Sequence, residues 1–369
     1  MPDDAQLPST LSGTLHMFAA LDWGDEIDLA HVARLVPAEW QTLARRSRTP
    51  SSIAYRPTPL RYPLQPITLP IAGCPGPPLV AEAELTIFDF AAVSLALRVA
   101  IERSPAEWTY LAGCLSEPEP IMCSAREVLQ PLFDRLRPAI EDAAWSELSE
   151  EYFVFQFAPG AALPPPERLV AEHSAWLAGL LRLEDEPLAP DELTEALRMR
   201  LSYTPADLFV AEWSAAVLID QSCDETLKTV EFANLQLLEF RHIDNRLDDR
   251  LAGAYGLIHP RHRGLWPFAT GARRRLRELG ELRLEAHDLY ERTGNALKLV
   301  GDQYLARVYQ MLAARFHLGE WQHSIERSLG VIEGAYQVVS DESDTARAET
   351  LEWIVILLIT VEVGLALLH

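Results

Sequence analysis

Cysteine is scarce in this sequence of 369 residues. The four cysteines, Cys74, Cys114, Cys123 and Cys223, form no C-x-x-C pair. We interpret them as ordinary buried thiols of a reducing compartment, because disulfide frameworks and zinc sites need closer, more regular spacing. The N-terminus has neither the apolar core of a secretory signal nor the arginines of a transit peptide, which predicts that the body of the protein stays in the cytoplasm.

Motifs that carry chemistry are also missing. The sequence contains no Walker loop, no G-x-G-x-x-G, no G-x-S-x-G and no H-E-x-x-H. Positive charge is low, with 32 lysines and arginines against 54 acidic residues and a net charge of −22. Such an acidic chain is not a general nucleic-acid binder. We therefore predict no enzymatic activity, no catalytic, cofactor-binding or metal-binding residues, and no small-molecule substrate.

Two groups of polar residues allow a chemical interpretation. His259 and His262 flank a turn, where metal ligation is the alternative. One helical stretch carries His242, Asp244, Asp248 and Asp249, where a metal ion or an acid–base pair is the alternative. The simpler interpretation is a solvated helix edge in which Asp244 is the single polar position of an apolar register. One polar residue at such a position fixes how two helices pair, so we assign Asp244 to hairpin register.

The first 221 residues mix strand-like and helix-like segments. Alternating apolar residues are typical of a half-buried strand, and the clearest set is Val93, Leu95, Leu97, Val99 and Ile101. Residues 14–21, 152–157 and 207–220 are also strand-like, whereas residues 104–115, 124–144 and 167–183 have helical character. The first of these helices is predicted to have Ser104 as its N-cap and Pro105 in its first turn. Residues 1–221 are therefore predicted to form a mixed sheet-and-helix domain of the α+β class.

After residue 221 the pattern is helical alone. Apolar residues recur in steps of three and four from Val230 to Ile258, and a second such run begins near Ala272. Prolines and glycines between residues 259 and 271 interrupt the pattern. We predict a coiled-coil-like antiparallel hairpin with its tip at this break, within a helical domain of residues 222–349.

One long apolar run, LEWIVILLITVEVGLALL, occupies residues 351–368. As a helix it is roughly 27 Å long, close to the thickness of a bilayer core. We expect residues 350–369 to form a C-terminal transmembrane anchor with Trp353 at the interface. The alternative is a buried core helix, because the carboxylates of Glu352 and Glu362 are costly inside a membrane.

The same run predicts contacts between copies of the chain. A lone lipid-facing carboxylate is costly, so Glu362 is expected to face another helix, and Thr360 with Gly364 forms a small-x-x-x-small pair. We therefore predict a homo-oligomer with Trp353, Thr360, Glu362 and Gly364 as anchor or oligomer contacts. The alternative places Glu362 near the far headgroups, where it needs no partner.

Arginines are locally concentrated between residues 261 and 283, where seven of them stand against two glutamates. We predict a basic tip that contacts phosphate, either of RNA or of lipid headgroups, and that is formed by Arg261, Arg263, Arg273, Arg274, Arg275 and Arg277. The alternative is pairing with acidic residues of the preceding helix, such as Asp248 and Asp249.

Three motifs carry a resemblance to a known family. Residues 230–251 (VEFANLQLLEFRHIDNRLDDRL), residues 295–310 (NALKLVGDQYLARVYQ) and the apolar run resemble the "required for meiotic nuclear division" family, also called the Sad1-interacting factor family. Residues 87–93 and 207–217 are similar to its α+β part. The resemblance implies an oligomeric membrane protein that supports translation, and no catalytic residues. Without a transit peptide, the implied address is a bacterial inner membrane, crossed once.

These observations predict a membrane-anchored, homo-oligomeric, non-enzymatic scaffold that binds a cytoplasmic partner. The resemblance implies a ribosome or another RNA-containing partner, besides the lipid bilayer. The alternative is an oligomeric channel or transporter subunit with single spans arranged around Glu362. An enzyme with an unrecognised site is the third hypothesis.

Overall fold

The computed structural model describes residues 7–36, 59–71, 73–74, 77–160, 163–258, 277, 280, 284 and 303–368. The chain divides into two compact units. The first comprises residues 1–239 and 295–319, and the second comprises residues 240–294 and 320–369. The predicted domain boundaries at residues 221 and 349 stay predictions.

Strands and helices alternate irregularly along the described residues. The strands are β1 Leu11–Asp22, β2 Glu26–Ile27, β3 Leu60–Thr68, β4 Val80–Ile87, β5 Ala92–Arg103, β6 Ile140–Glu141, β7 Ser149–Phe157, β8 Arg200–Leu201, β9 Leu208–Ala211 and β10 Ala215–Ile219. The helices are α1 Leu29–Leu35, α2 Pro105–Cys114, α3 Glu119–Leu136, α4 Pro166–Glu172, α5 Ser174–Arg182, α6 Pro190–Ala196, α7 Asp224–Ile258, α8 Gln303–Arg315 and α9 Leu318–Leu368. The predicted α+β class is confirmed.

The first unit is built on an eight-stranded sheet with the order β3-β4-β5-β1-β7-β10-β9-β8. Neighbouring strands are antiparallel except β7 and β10, which run parallel. The N-terminal strand β1 is therefore central. Its Leu15 lies opposite Val99 of β5 on one side and Phe155 of β7 on the other. The short strands β2 and β6 form a separate pair.

One face of this sheet forms the main hydrophobic core. The alternating residues of β5 predicted to be buried, from Val93 to Ile101, all belong to it, so the period of two correctly predicted both the strand and its buried face. Helices α2, α3 and α5 contribute Trp108, Leu129 and Leu177 to the same core. The indole of Trp108 also donates a 3.0 Å hydrogen bond to the carbonyl of Leu11, which fixes α2 against the start of β1.

The start of α2 follows from local sequence. Ser104 caps the helix, Pro105 occupies its first turn, and the Glu107 side chain accepts a hydrogen bond from the Ser104 backbone at 2.8 Å. This reciprocal arrangement is a capping box, which satisfies two backbone donors that an α-helix leaves free. The predicted cap at Ser104 is confirmed.

The opposite face of the sheet is more polar. A small cluster there joins Ala20 and Ala92 of the sheet to Leu235 and Leu238 of α7. Asn234 of α7 donates to the carbonyls of Phe18 and Glu150 at 3.3 and 3.2 Å, which bridges two adjacent strands. The first part of α7 is therefore held by a few apolar contacts together with directed hydrogen bonds.

Residues 207–220 do not form the single strand that their sequence predicts. They form the hairpin β9–β10, with Glu212, Trp213 and Ser214 between the two strands. The Tyr152 hydroxyl donates to the carbonyls of Glu212 and Ala215 at 2.9 and 3.0 Å. A tyrosine from β7 thus stabilises a turn that the apolar composition of residues 207–220 does not predict.

The apolar run near the end of the sequence is the last part of α9, a helix of 51 residues. No helix in the described part of the chain is long and apolar enough to cross a membrane. The predicted transmembrane anchor at residues 350–369 and the single-pass location in a bacterial inner membrane are therefore wrong. The run continues a polar helix and carries Glu352 and Glu362, and each such carboxylate costs about 2.5–3.5 kcal/mol at the centre of a bilayer.

Candidate functional site

The end of α9 carries the largest set of exposed apolar side chains among the described residues. We call residues 351–368 the apolar end of α9. Eight of its side chains are between 49% and 63% exposed: Leu351, Ile354, Val355, Ile356, Leu358, Ile359, Val361 and Val363. Isolated apolar side chains at a surface need no explanation, whereas a contiguous patch indicates an interaction site.

The apolar end of α9 has a heptad pattern. Leucine recurs at positions 351, 358 and 365, and the positions three residues later hold Ile354, Val361 and Leu368. These are the first and fourth positions of a seven-residue repeat, which form the seam where coiled-coil helices meet. The apolar residues Val355, Ile356, Ile359 and Val363 lie outside this seam.

The predicted oligomer contacts lie in this segment. Trp353, Thr360, Glu362 and Gly364 are all within α9. The Thr360 hydroxyl donates to the carbonyl of Ile356, one turn earlier, at 2.7 Å, so it is satisfied within its own helix. The assignment of these four residues to contacts between copies stays a prediction.

The predicted basic tip falls mostly outside the described residues. Arg261, Arg263, Arg273, Arg274 and Arg275 are not among them, and Arg277 is described as exposed. Asp244, the predicted register position, lies in α7 and is half-buried. Its Oδ1 atom is buried and has no hydrogen-bond partner within the described residues. Both assignments stay predictions.

A second site, which the sequence did not reveal, surrounds Glu212 in the β9–β10 turn. This carboxylate is only 3% exposed. Nη1 of Arg182, at the end of α5, lies 2.9 Å from its Oε1 atom. Nη2 of Arg315, at the end of α8, lies 2.5 Å from its Oε2 atom. The two arginines are 30 and 103 residues away from Glu212 in the sequence, so the sequence alone does not predict these ion pairs. The one available signal was a single acidic residue directly after an apolar strand.

Acidic residues of α6 extend this network. Arg182 also contacts Glu192 at 3.0 Å, and Arg315 also contacts Glu195 at 3.4 Å. Burial raises the pKa of Glu212 above its ordinary value, while the charges of Arg315 and Arg182 act in the opposite direction. The network thus joins α5, α6, α8 and the β9–β10 turn.

Aromatic contacts support the same junction. Phe316, the residue after α8, is fully buried and meets the ring of Tyr152 edge-on, with centroids 5.2 Å apart. Trp213 meets Phe316 in the same way at 6.2 Å and is itself 45% exposed. We interpret this site as the attachment of α8 to the sheet. In the described part of the chain, no group of three or more histidine, cysteine or acidic side chains is suited to hold a metal ion.

Residues 12–225 match the family described as "Uncharacterized protein MJ0711, N-terminal domain". The chain belongs to this family. The matched residues run from the start of β1 to the start of α7, so the family domain comprises the whole sheet and the helices that cover its apolar face.

The chain is similar to the uncharacterized protein MJ0711 of Methanocaldococcus jannaschii. The two are 23% identical over 243 residues, which cover 65% of this chain and 73% of that protein. No solved structure matches the chain.

The resemblance to the "required for meiotic nuclear division" family is wrong, because the family that matches is a different one. Two of the three motifs that suggested it are short amphipathic segments, and the third is the apolar run. Apolar residues in steps of three and four occur in any half-buried helix and do not distinguish families. The membrane location and the support of translation that the resemblance implied therefore lose their basis.

Proposed function

We propose that the protein is a non-enzymatic scaffold that assembles with further copies of itself through the apolar end of α9. The observation that carries this proposal is the set of eight half-exposed apolar side chains in one helical segment.

The energy of burial is sufficient for association. Burying an exposed leucine, isoleucine or valine completely gains about 1.5–3 kcal/mol, so covering the exposed half of eight such side chains gains about 6–12 kcal/mol per copy. The loss of translational and rotational freedom costs about 4–15 kcal/mol for each association. Because each copy contributes its own apolar end, the gain from two copies exceeds most of this range.

The heptad residues support a bundle of more than two helices. Leucine at the first seam position with isoleucine at the second favours three- or four-stranded assemblies over dimers. Leu351 and Ile354 form such a pair, whereas the next two heptads have Val361 and Leu368 at the second position. The apolar residues outside the seam act in the same direction, because each helix of a larger bundle buries more of its circumference. The occupant of the apolar end of α9 is therefore the same segment of other copies.

Analytical ultracentrifugation of the full chain tests this proposal with two matched variants. Val361 lies on the seam and Val363 lies about 200° around the helix from it, and both side chains are 53% exposed. We expect Val361→Glu to dissociate the assembly, whereas Val363→Glu, outside the seam, should weaken it less. A wild-type chain that is monomeric at every concentration, or two variants with equal effects, would contradict the proposal.

The predicted partner contact at the basic tip remains part of the proposal. Seven arginines within residues 261–283 of an acidic chain favour a phosphate-bearing partner. The channel alternative required membrane spans and is not retained.

A further inference from the structure

Three segments distant in sequence meet around two sulfur atoms. Cys74 lies in the connection between β3 and β4, Cys114 is the last residue of α2, and Arg103 is the last residue of β5. Nη1 of Arg103 donates to Sγ of Cys74 at 3.2 Å. Cys114 lies close enough to Cys74 for the two thiols to interact. Both cysteines are half-buried, so a small molecule can reach them.

The connection that carries Cys74 is fixed to the helix that carries Cys114. The hydroxyl of Tyr110, one helical turn before Cys114, donates to the carbonyl of Gly73 at 3.2 Å. Gly73 has a φ of +75°, a left-handed conformation that glycine adopts without strain. The residue before Cys74 is thus hydrogen-bonded to α2. This contact holds Cys74 near Cys114 in the folded protein.

We propose that Cys74 and Cys114 are a redox-active pair that closes reversibly to a disulfide when a hydroperoxide oxidises Cys74. This site is independent of the proposed assembly through α9. The other two cysteines supply contrasting environments. Sγ of Cys123 lies 3.5 Å from a carboxylate oxygen of Glu119, and Cys223 is buried.

The surroundings assign an order to the two cysteines. The guanidinium of Arg103 donates to Sγ of Cys74, and the thiolate is the nucleophile in thiol oxidation. Burial, followed by the neighbouring Cys74 and Asp185, raises the pKa of Cys114 above its ordinary value. We therefore assign the first attack to Cys74, which lies beside the guanidinium, and the second attack to Cys114.

The oxidation of the two thiols proceeds in two steps. In the first, the Cys74 thiolate attacks one oxygen of the hydroperoxide, so an S–O bond forms, the O–O bond breaks, and the departing oxygen leaves as an alcohol or water after taking a proton. In the second, the Cys114 sulfur attacks the sulfenic acid of Cys74. The S–S bond forms, the S–O bond breaks, and the hydroxyl leaves as water with the proton of Cys114. Two electrons pass from the two thiols to the peroxide.

The test treats the reduced full chain with hydrogen peroxide and maps its peptides without reduction. We expect one disulfide, between Cys74 and Cys114, with the number of free thiols falling from four to two and returning to four with dithiothreitol. The Cys114→Ser variant should instead accumulate a sulfenic acid at Cys74, which a dicarbonyl reagent traps. Cys123→Ser, the control, should oxidise as the wild type does.

A second comparison tests the role of Arg103. Replacing it in Arg103→Gln should slow the oxidation of Cys74 severalfold, because the guanidinium that donates to its sulfur is lost. Arg98→Gln changes another arginine of β5 and should leave the rate unchanged. A Cys74 that stays reduced in the wild type, that goes on to sulfinic acid, or that pairs equally with Cys123 would overturn the proposal.

Discussion

His16 lies on β1, facing away from the main core, and is 7% exposed. Its Nε2 atom is 2.8 Å from Oε1 of Gln156 on β7, which accepts a hydrogen bond from the ring. Burial lowers the pKa of His16 below its ordinary value of 6.5, the Gln156 hydrogen bond raises it, Arg98 lowers it and Asp224 raises it. The net direction is downward, so the folded protein holds this ring neutral.

We expect His16 to make the free energy of unfolding depend on pH. Above pH 6.5 the ring is neutral in both states. As the pH falls below 6.5, His16 becomes protonated in the unfolded chain but stays neutral in the folded protein. The free energy of unfolding therefore decreases until the pH reaches the lower pKa that His16 has in the folded protein. The stability advantage of wild type over His16→Gln should therefore shrink between pH 7 and pH 5. Urea denaturation at several pH values measures it, and parallel curves would contradict the expectation.

At the scale of elements, the Glu212 network attaches α8 to the rest of the first unit. The variant Arg315→Met leaves a buried carboxylate with one guanidinium less, and breaking a buried ion pair in this way typically costs about 3–5 kcal/mol. Arg198→Met is the matched control, because Arg198 contacts the same Glu195 at 3.2 Å but is 67% exposed. That surface pair is worth at most about 1 kcal/mol.

Denaturation midpoints distinguish the two arginine variants. If Arg315→Met is as mild as Arg198→Met, the network does not hold α8. A double variant with Glu212→Gln adds a further check. Since the two side chains share one contact, the loss in the double variant should be smaller than the sum of the two single losses.

Helices and strands were predicted correctly where the residues that determine them lie close together in the sequence. The strand β5 and the cap at Ser104 were predicted correctly because alternation and capping depend on residues a few positions apart. The β9–β10 hairpin was predicted as one strand because its turn is held by Tyr152, about 60 residues earlier in the chain.

The candidate sites were harder to predict for the same reason. The seam on α9 is visible in the sequence, but the apolar run was assigned to a membrane because composition does not distinguish lipid from protein as its neighbour. The Arg182–Glu212–Arg315 network and the Cys74–Cys114 pair join residues that only the fold brings together. The four cysteines were all predicted to be buried, whereas Cys223 alone is.

At the scale of the whole molecule, charge opposes the proposed assembly. Each copy carries a net charge of −22, so copies that meet through α9 also bring acidic bodies together. Salt screens this repulsion, because the screening length falls from about 10 Å at 0.1 M to about 3 Å at 1 M.

Assembly should therefore tighten as salt is added. Sedimentation equilibrium at low and high sodium chloride should give a smaller dissociation constant at high salt, and Val361→Glu should remain dissociated in both. Weaker association in high salt would mean that ion pairs, and not apolar side chains, hold the copies together.

The central position of β1 also determines the order in which the sheet can form. During synthesis β1 is made before its two neighbours. Its Leu15 pairs with Val99 of β5, about 80 residues later in the chain, and with Phe155 of β7, about 140 residues later. Closing such long loops is slow, whereas β4 and β5 are joined by a short turn. We expect amides of β4 and β5 to become protected in pulsed hydrogen exchange before those of β1. The strand that is synthesised first would then be among the later ones to pair.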